Sequence, residues 1–172
     1  MSRSIENTGN KSGVLIRKIR KEDEKILGGI IRGCFLDYDA TREGTVFSDS
    51  VIDRLYSEFE KARACYFVLE ENGEVMGGSG IQQLKGAGRT ICELQKMYLK
   101  KEARGRGLGR ELLEKCLSFA RAEGYESCYL ESLPELKDAL RMYEKAGFRY
   151  IASRMGDTGY YGCSLYMLRD LA

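Results

Sequence analysis

The sequence predicts an α/β (α+β) domain: a mixed, mostly antiparallel sheet of about seven strands flanked by about four helices. Three observations predict it. Asn72-Gly73 separates two strand-like runs, the signal of a tight hairpin. The run Arg104-Gly105-Arg106-Gly107-Leu108-Gly109-Arg110 joins a strand-like segment, Ile91 to Leu99, to a strongly amphipathic helix, and another strand follows it. Such a β-α-β unit implies parallel pairing with a right-handed crossover. A further helix then leads into two terminal strands joined by a glycine-rich loop.

In chain order, Val14 to Ile19 is rich in β-branched residues and reads as a strand. Ile26, Leu27, Ile30, Ile31, Cys34 and Phe35 stripe a helix over Lys21 to Leu36. Ser48 or Asp49 caps a second helix, with Ile52, Leu55, Tyr56 and Phe59 buried. Cys65 to Glu70, Glu74 to Leu84 and Thr90 to Leu99 form a three-strand meander. Leu108, Leu112, Leu113, Cys116, Leu117 and Ala120 line one helical face, which Gly124 ends. Glu126 to Glu131 is the next strand. Ser132-Leu133-Pro134-Glu135 has the pattern of a capping box for a helix over Leu136 to Ala146. Phe148 to Ser153 and Ser164 to Leu168 close the chain as a hairpin, with residues 156–162 as a mobile loop.

Composition narrows the function classes. The 172 residues are read as a disordered tail, 1–12, and one domain, 13–172. A net charge of +2 gives no nucleic-acid footprint. No apolar run approaches the roughly 20 residues of a membrane span, and the N-terminus lacks a signal-peptide core, so a cytoplasmic protein is expected. The six cysteines include no CxxC pair and read as reduced core residues. With no histidine, Ser-His-Asp, Cys-His and histidine-metal chemistry are excluded, and no metal is expected.

The glycine-arginine turn reads as a pyrophosphate site. Its glycines let backbone approach a ligand, and the following amides are the unpaired donors of a helix N-terminus. Gly105, Gly107 and Gly109 give G-x-G-x-G, not the G-x-G-x-x-G of a dinucleotide site, and no Lys-Ser or Lys-Thr follows to make a P-loop.

What remains is R-x-x-G-x-G, at Arg104, Gly107 and Gly109. With Leu94 to Leu99 before it, this resembles the acetyl-coenzyme A signature of the GNAT superfamily of N-acetyltransferases. Ala139-Leu140-Arg141-Met142-Tyr143-Glu144-Lys145-Ala146-Gly147-Phe148 is similar to that family's L-Y-E-K-x-G-F element, with Met142 in place of leucine. The resemblance is most specific from Cys92 to Phe148. It implies a sheet splayed between strands 4 and 5, acetyl-CoA as co-substrate, a small-molecule or peptide amine as acceptor, and is compatible with a homodimer.

The resemblance also implies roles. The backbones of Met97, Tyr98 and Leu99 meet the pantetheine arm. Arg104, Gly105, Arg106, Gly107, Leu108, Gly109 and Arg110 surround the pyrophosphate, where each charge-assisted contact contributes about 1.5–3 kcal/mol. Arg104 and Arg106 either reach phosphate oxygens or are solvated surface charges. Many relatives carry asparagine where this chain has Leu136, so that contact is missing or supplied elsewhere, for example by Ser132.

Acyl transfer to an amine poses two proton problems. Deprotonating a lysine-like amine at pH 7 costs about 4.6 kcal/mol, an α-amine about 1 kcal/mol. Glu93 is the candidate base: it shares the nominal strand parity of Met97 and Leu99, unless a β-bulge intervenes, and burial raises its pKa. Releasing a thiolate at pH 7 costs about 2 kcal/mol, and Tyr143 matches the family's tyrosine acid. A backbone amide near Met97 polarises the acetyl oxygen. Tyr38, Asp39 and Tyr160, with Glu43, Phe47 and Tyr161, offer acids beside aromatics for a cationic acceptor. The alternative is a coenzyme A-binding sensor or regulatory domain with little turnover.

Overall fold

The computed structural model describes residues 13–172; the expected tail, 1–12, lies outside the described residues. Its strands are β1 (Val14–Lys18), β2 (Cys65–Glu71), β3 (Glu74–Gln83), β4 (Ile91–Leu99), β5 (Ser127–Ser132), β6 (Arg149–Ile151) and β7 (Leu165–Asp170). The helices are α1 (Glu24–Asp37), α2 (Leu55–Glu58), α3 (Leu108–Ala122) and α4 (Lys137–Lys145). One seven-stranded sheet runs β1-β2-β3-β4-β5-β7-β6. All neighbours are antiparallel except β4 and β5, which pair in parallel as the β-α-β reading requires.

Strand alternation builds a core on each face. Cys65 and Phe67 of β2 pack with Leu112, Leu113, Cys116 and Leu117 of α3. Tyr66 and Val68 pack on the other face with Leu27, Ile31 and Phe35 of α1. All six cysteines are buried and unpaired. The helix expected over Ser48 to Phe59 is instead two 3-10 turns, Val46–Ser48 and Ser50–Asp53, followed by the single turn α2. Asp49 caps as expected, accepting from the Val51 amide at 2.9 Å, but Arg54 leaves helical geometry at φ −141°, ψ 39°. The capping box at Ser132 does not form. Ser132 still pairs with Leu165 as the last residue of β5, and Glu135 is ion-paired with Arg42, so α4 starts at Lys137 without a side-chain cap.

Two irregularities of β4 create the site. Its pairing with β5 covers only Ile91, Cys92 and Glu93, opposite Ser127, Cys128 and Tyr129. Beyond Glu93 the two strands part. Against β3, Gly80 faces Gln95 but Gly78 faces Tyr98, so β4 holds one extra residue there. Lys96 takes the left-handed conformation, φ 52°, within this bulge. Tyr66 braces it: its buried hydroxyl donates to the Lys96 carbonyl at 2.8 Å. Gly78 and Gly80 make room for that ring, since a Cβ on Gly78 would lie 2.4 Å from Tyr66 Cε1.

The bulge corrects the parity expectation. Glu93 does not share a face with Met97 and Leu99. Those two pack with Leu94 and the α3 side, while Glu93 faces the α1 side. The extra residue reverses the alternation between position 93 and positions 97 and 99.

Candidate active site

The parted strands open a cavity of about 710 Å³ beside the end of β4. Met97, Leu99, Ala139 and Met142 supply apolar walls, and Gly105, Gly107, Gly109 and Arg110 close one end. Gly107 is left-handed, φ 79°, and α3 begins at the next residue. The first amides of α3 therefore face this end without intrahelical acceptors. From Leu94 to Leu99 the β5-facing edge of β4 has no strand partner. A long apolar arm ending in an anion fits both features.

The residues expected at the coenzyme site are placed unevenly. Tyr98 turns its ring to the opposite face, 5.3 Å from Phe35, and does not line this cavity. Leu108 is buried in the core and offers only its main chain. Arg104 spans the cavity wall: Nε donates to the Leu99 carbonyl at 2.9 Å, one terminal nitrogen to Asp37 at 3.0 Å, and the guanidinium covers the Tyr38 ring. Arg106 points away and pairs with Glu71 at 3.0 Å. Arg141 and Lys145, which sequence reasoning did not single out, line the cavity from α4. Their spacing of four, along one helical face, was the available signal.

A smaller chamber of about 50 Å³ lies on the other side of β4, lined by Glu93, Gln95, Lys96, Tyr160 and Cys163 among others. Met97, Leu136, Ala139 and Tyr143 line both spaces, so the two meet there. Glu93 is 3% exposed. Burial pushes its carboxyl up to about 7, helped by Glu131 and opposed by Gln95 and Lys96. Gln95 Nε2 donates to Glu93 Oε2 at 2.5 Å. Burial also holds the Tyr143 hydroxyl well above its ordinary range, while its ring packs edge-on against Phe148 at 5.8 Å.

Of the six acceptor-side residues expected from the sequence, only Tyr160 lines this chamber. Its hydroxyl donates to Asp49 Oδ2 and accepts from Lys96 Nζ, each at 2.8 Å. Tyr38 lines the larger cavity, and Asp39 is an exposed residue just past α1 that lines neither. The loop read as mobile is tied down by named bonds. Thr158 donates to Glu131 at 2.7 Å, Asp157 to the Lys85 carbonyl at 2.7 Å, and Gly162 to the Gly44 carbonyl at 2.8 Å. Arg154 also pairs with the buried Glu131 at 3.2 Å. Lys96, Gln95, Asp49 and Glu131 were missed, because nothing local in the sequence marks a bulge or brings these segments together.

Comparison with known proteins agrees with this geometry. The model of the acetyltransferase (GNAT) family matches residues 31–148. An uncharacterized N-acetyltransferase of Escherichia coli, YjgM, is 37% identical over 158 residues, covering 91% of this chain and 95% of that protein. Mouse N-acetyltransferase 8B is 31% identical over 88 residues, 50% of this chain and 38% of that one. Among solved structures, a GNAT-family acetyltransferase from Staphylococcus aureus superposes with a TM-score of 0.76 at 16% identity, over 92% of this chain and 99% of its own. The Salmonella typhimurium protein yncA, with its cofactor acetyl-CoA, gives 0.74 at 21% identity, over 94% and 95%.

Proposed function

The chain belongs to the GNAT acetyltransferase family, and from that premise we propose that it acetylates a primary amine by direct attack, with Glu93 as general base and Tyr143 as general acid. Acetyl-CoA, the acetyl donor of this family, supplies the activated thioester. The larger cavity fits it on the chain's own features: the partnerless edge of β4, the apolar wall of Met97, Leu99 and Met142, and the glycine turn at the start of α3. Met97, Tyr98 and Leu99 would hold the pantetheine arm through their backbones. The main chain from Arg104 to Arg110 would hold the pyrophosphate, with Arg110 lining that end. A Cβ on Gly109 would come within 3.3 Å of Met142 Sδ, so bare backbone keeps that wall open.

The observation that carries the reading is that Glu93 and Tyr143 line one chamber, and that Tyr143 also lines the larger cavity. A base must reach the acceptor nitrogen and an acid must reach the departing sulfur. A carboxyl near 7 is half-ionised at neutral pH and still basic enough to take a proton from an ammonium-derived amine. Burial keeps the Tyr143 hydroxyl protonated, so an O–H is present to hydrogen-bond the departing sulfur, although the raised pKa makes full release of the proton harder, not easier. The amine enters on the α1 side, past Tyr160, as a small molecule or a peptide amine.

Thiol release from acetyl-CoA tests this across polyamines, aminoglycosides, amino acids and peptides. Amine-dependent release with at least one acceptor is expected. Tight coenzyme binding with no release on any amine would instead support a sensor or regulatory domain.

A further inference from the structure

The mechanism above leaves Lys96 unused, yet its side chain is only 2% exposed. Removing an ammonium from water is costly, and a buried ion pair is poor evidence of stabilisation. The network around Nζ gives this lysine another purpose. It donates to Tyr160 Oη at 2.8 Å and to Gln95 Oε1 at 3.2 Å, and lies 3.9 Å from Asp49 Oδ2. Three segments distant in sequence therefore meet at one nitrogen: the turn at Asp49, the β4 bulge and the loop at Tyr160.

Gln95 connects this node to Glu93. Its Oε1 accepts from Lys96 and from Gln82 Nε2, the latter at 2.8 Å. With two donors aimed at the oxygen, the amide nitrogen must face the other way, towards Glu93 Oε2. We propose that Lys96 is a positioning residue of this acetyltransferase: it orients Gln95, and through it the Glu93 carboxylate, while pinning the Asp49 turn and the Tyr160 loop over the acceptor side. The proposal rests on Glu93 being the base.

The charges fit this role. Around Lys96, burial lowers its pKa, while Asp49, Glu93 and Glu58 favour its charged form and Lys61 opposes it. Around Glu93, Lys96 is the cation that opposes burial and the β5 residue Glu131; Tyr129, Tyr160 and Cys163 feel the Glu93 charge, and Tyr98 and Tyr143 line the same chamber. Deleting the positive charge pushes Glu93 further up.

The test is the Lys96→Met variant beside Lys96→Arg, read by steady-state kinetics over pH on the best acceptor. For Lys96→Met the acid limb of kcat/KM should move up by roughly half a unit or more. Acceptor KM should rise about tenfold, with coenzyme affinity within about twofold of wild type. Lys96→Arg should restore the limb. An unmoved limb together with an unmoved KM overturns the proposal. If the wild type acetylates no amine, the proposed function is what fails, and the kinetic arms are replaced. The Glu93 carboxyl band in infrared titration, identified by its loss in Glu93→Gln, then decides: an upward midpoint in Lys96→Met supports the node, an unchanged one refutes it. Should Lys96→Met fail to fold, Tyr160→Phe removes one tether and keeps the charge. It should raise acceptor KM several-fold with the limb in place, and an unchanged KM counts against the pinning role.

Discussion

The two sides of β4 are built by different means. The side proposed for the acetyl donor offers backbone: a partnerless strand edge, a left-handed glycine and the first amides of α3, all within residues 94–110. The side proposed for the acceptor offers side chains from four separate segments, with Glu93, Gln95 and Lys96 from the strand, Asp49, Glu131 and Tyr160 from elsewhere. Backbone recognition of a shared donor is written locally and tolerates change in the flanking side chains. Side-chain recognition depends on tertiary structure and can differ from one acceptor to the next. Substitutions should separate accordingly into those that change proton transfer and those that change coenzyme affinity.

The largest effect belongs to Glu93→Gln. For an acceptor with a lysine-like pKa, kcat/KM at pH 7 should fall on the order of 100-fold, and the loss should shrink in alkaline buffer, where the free amine is abundant. An equal loss at both pH values would remove Glu93 from the base role. Stability should move the opposite way. Glu93 holds its proton to about 7 in the folded chain against 4.5 for an ordinary glutamate. The folded state therefore binds more protons between those values, and its contribution is fully present below 4.5 and lost as pH rises through 7. Chemical denaturation at pH 8 should find Glu93→Gln more stable by about 1–3 kcal/mol, with little gain at pH 4.

The sequence was readable where structure is set locally. The R-x-x-G-x-G turn, the amphipathic α3 and the Tyr143 to Phe148 segment all stand in the structure as their patterns imply. Local rules failed in two places. At Lys96 the strand pattern continues through the bulge with no glycine or proline to mark it; the group that braces it is the Tyr66 hydroxyl, 30 positions away. At Ser132 a good capping pattern lost to sheet pairing, because Ser132 bonds to β7 and the chain needs more residues before it can turn into α4. The acceptor chamber is the product of these two departures, together with the Asp49 turn, which also escaped the helical reading.

Tyr143→Phe should have the next largest effect. Losing proton delivery to a thiolate whose release costs about 2 kcal/mol predicts a fall in kcat of about 30-fold. Tyr143 lines both spaces, so this variant probes their junction. The ring and its edge contact with Phe148 survive the substitution, and coenzyme affinity and melting temperature should hold. A weakened coenzyme with kcat intact would make Tyr143 a wall of the donor side and nothing more.

The smallest effect tests the donor side alone. Gly107 sits at φ 79°, ψ 0° as the residue before α3, and a Cβ there would meet no atom within 4 Å. Sterics with neighbours therefore contribute nothing to Gly107→Ala, and only the left-handed backbone resists it, by about 1–2 kcal/mol. That energy has two outlets. If the turn keeps its shape, folding stability falls by that amount. If the turn relaxes, the first amides of α3 swing away from the cavity and coenzyme binding weakens instead, by about 5-fold and at most about 30-fold. Calorimetric coenzyme affinity and a denaturation curve on the same variant measure both outlets, and their sum should match the backbone cost. Acceptor KM should stay put, since Gly107 lines the larger cavity and not the chamber of Glu93. A rise in acceptor KM with unchanged coenzyme affinity would show that the turn shapes the acceptor side as well, and the division of labour across β4 would fall.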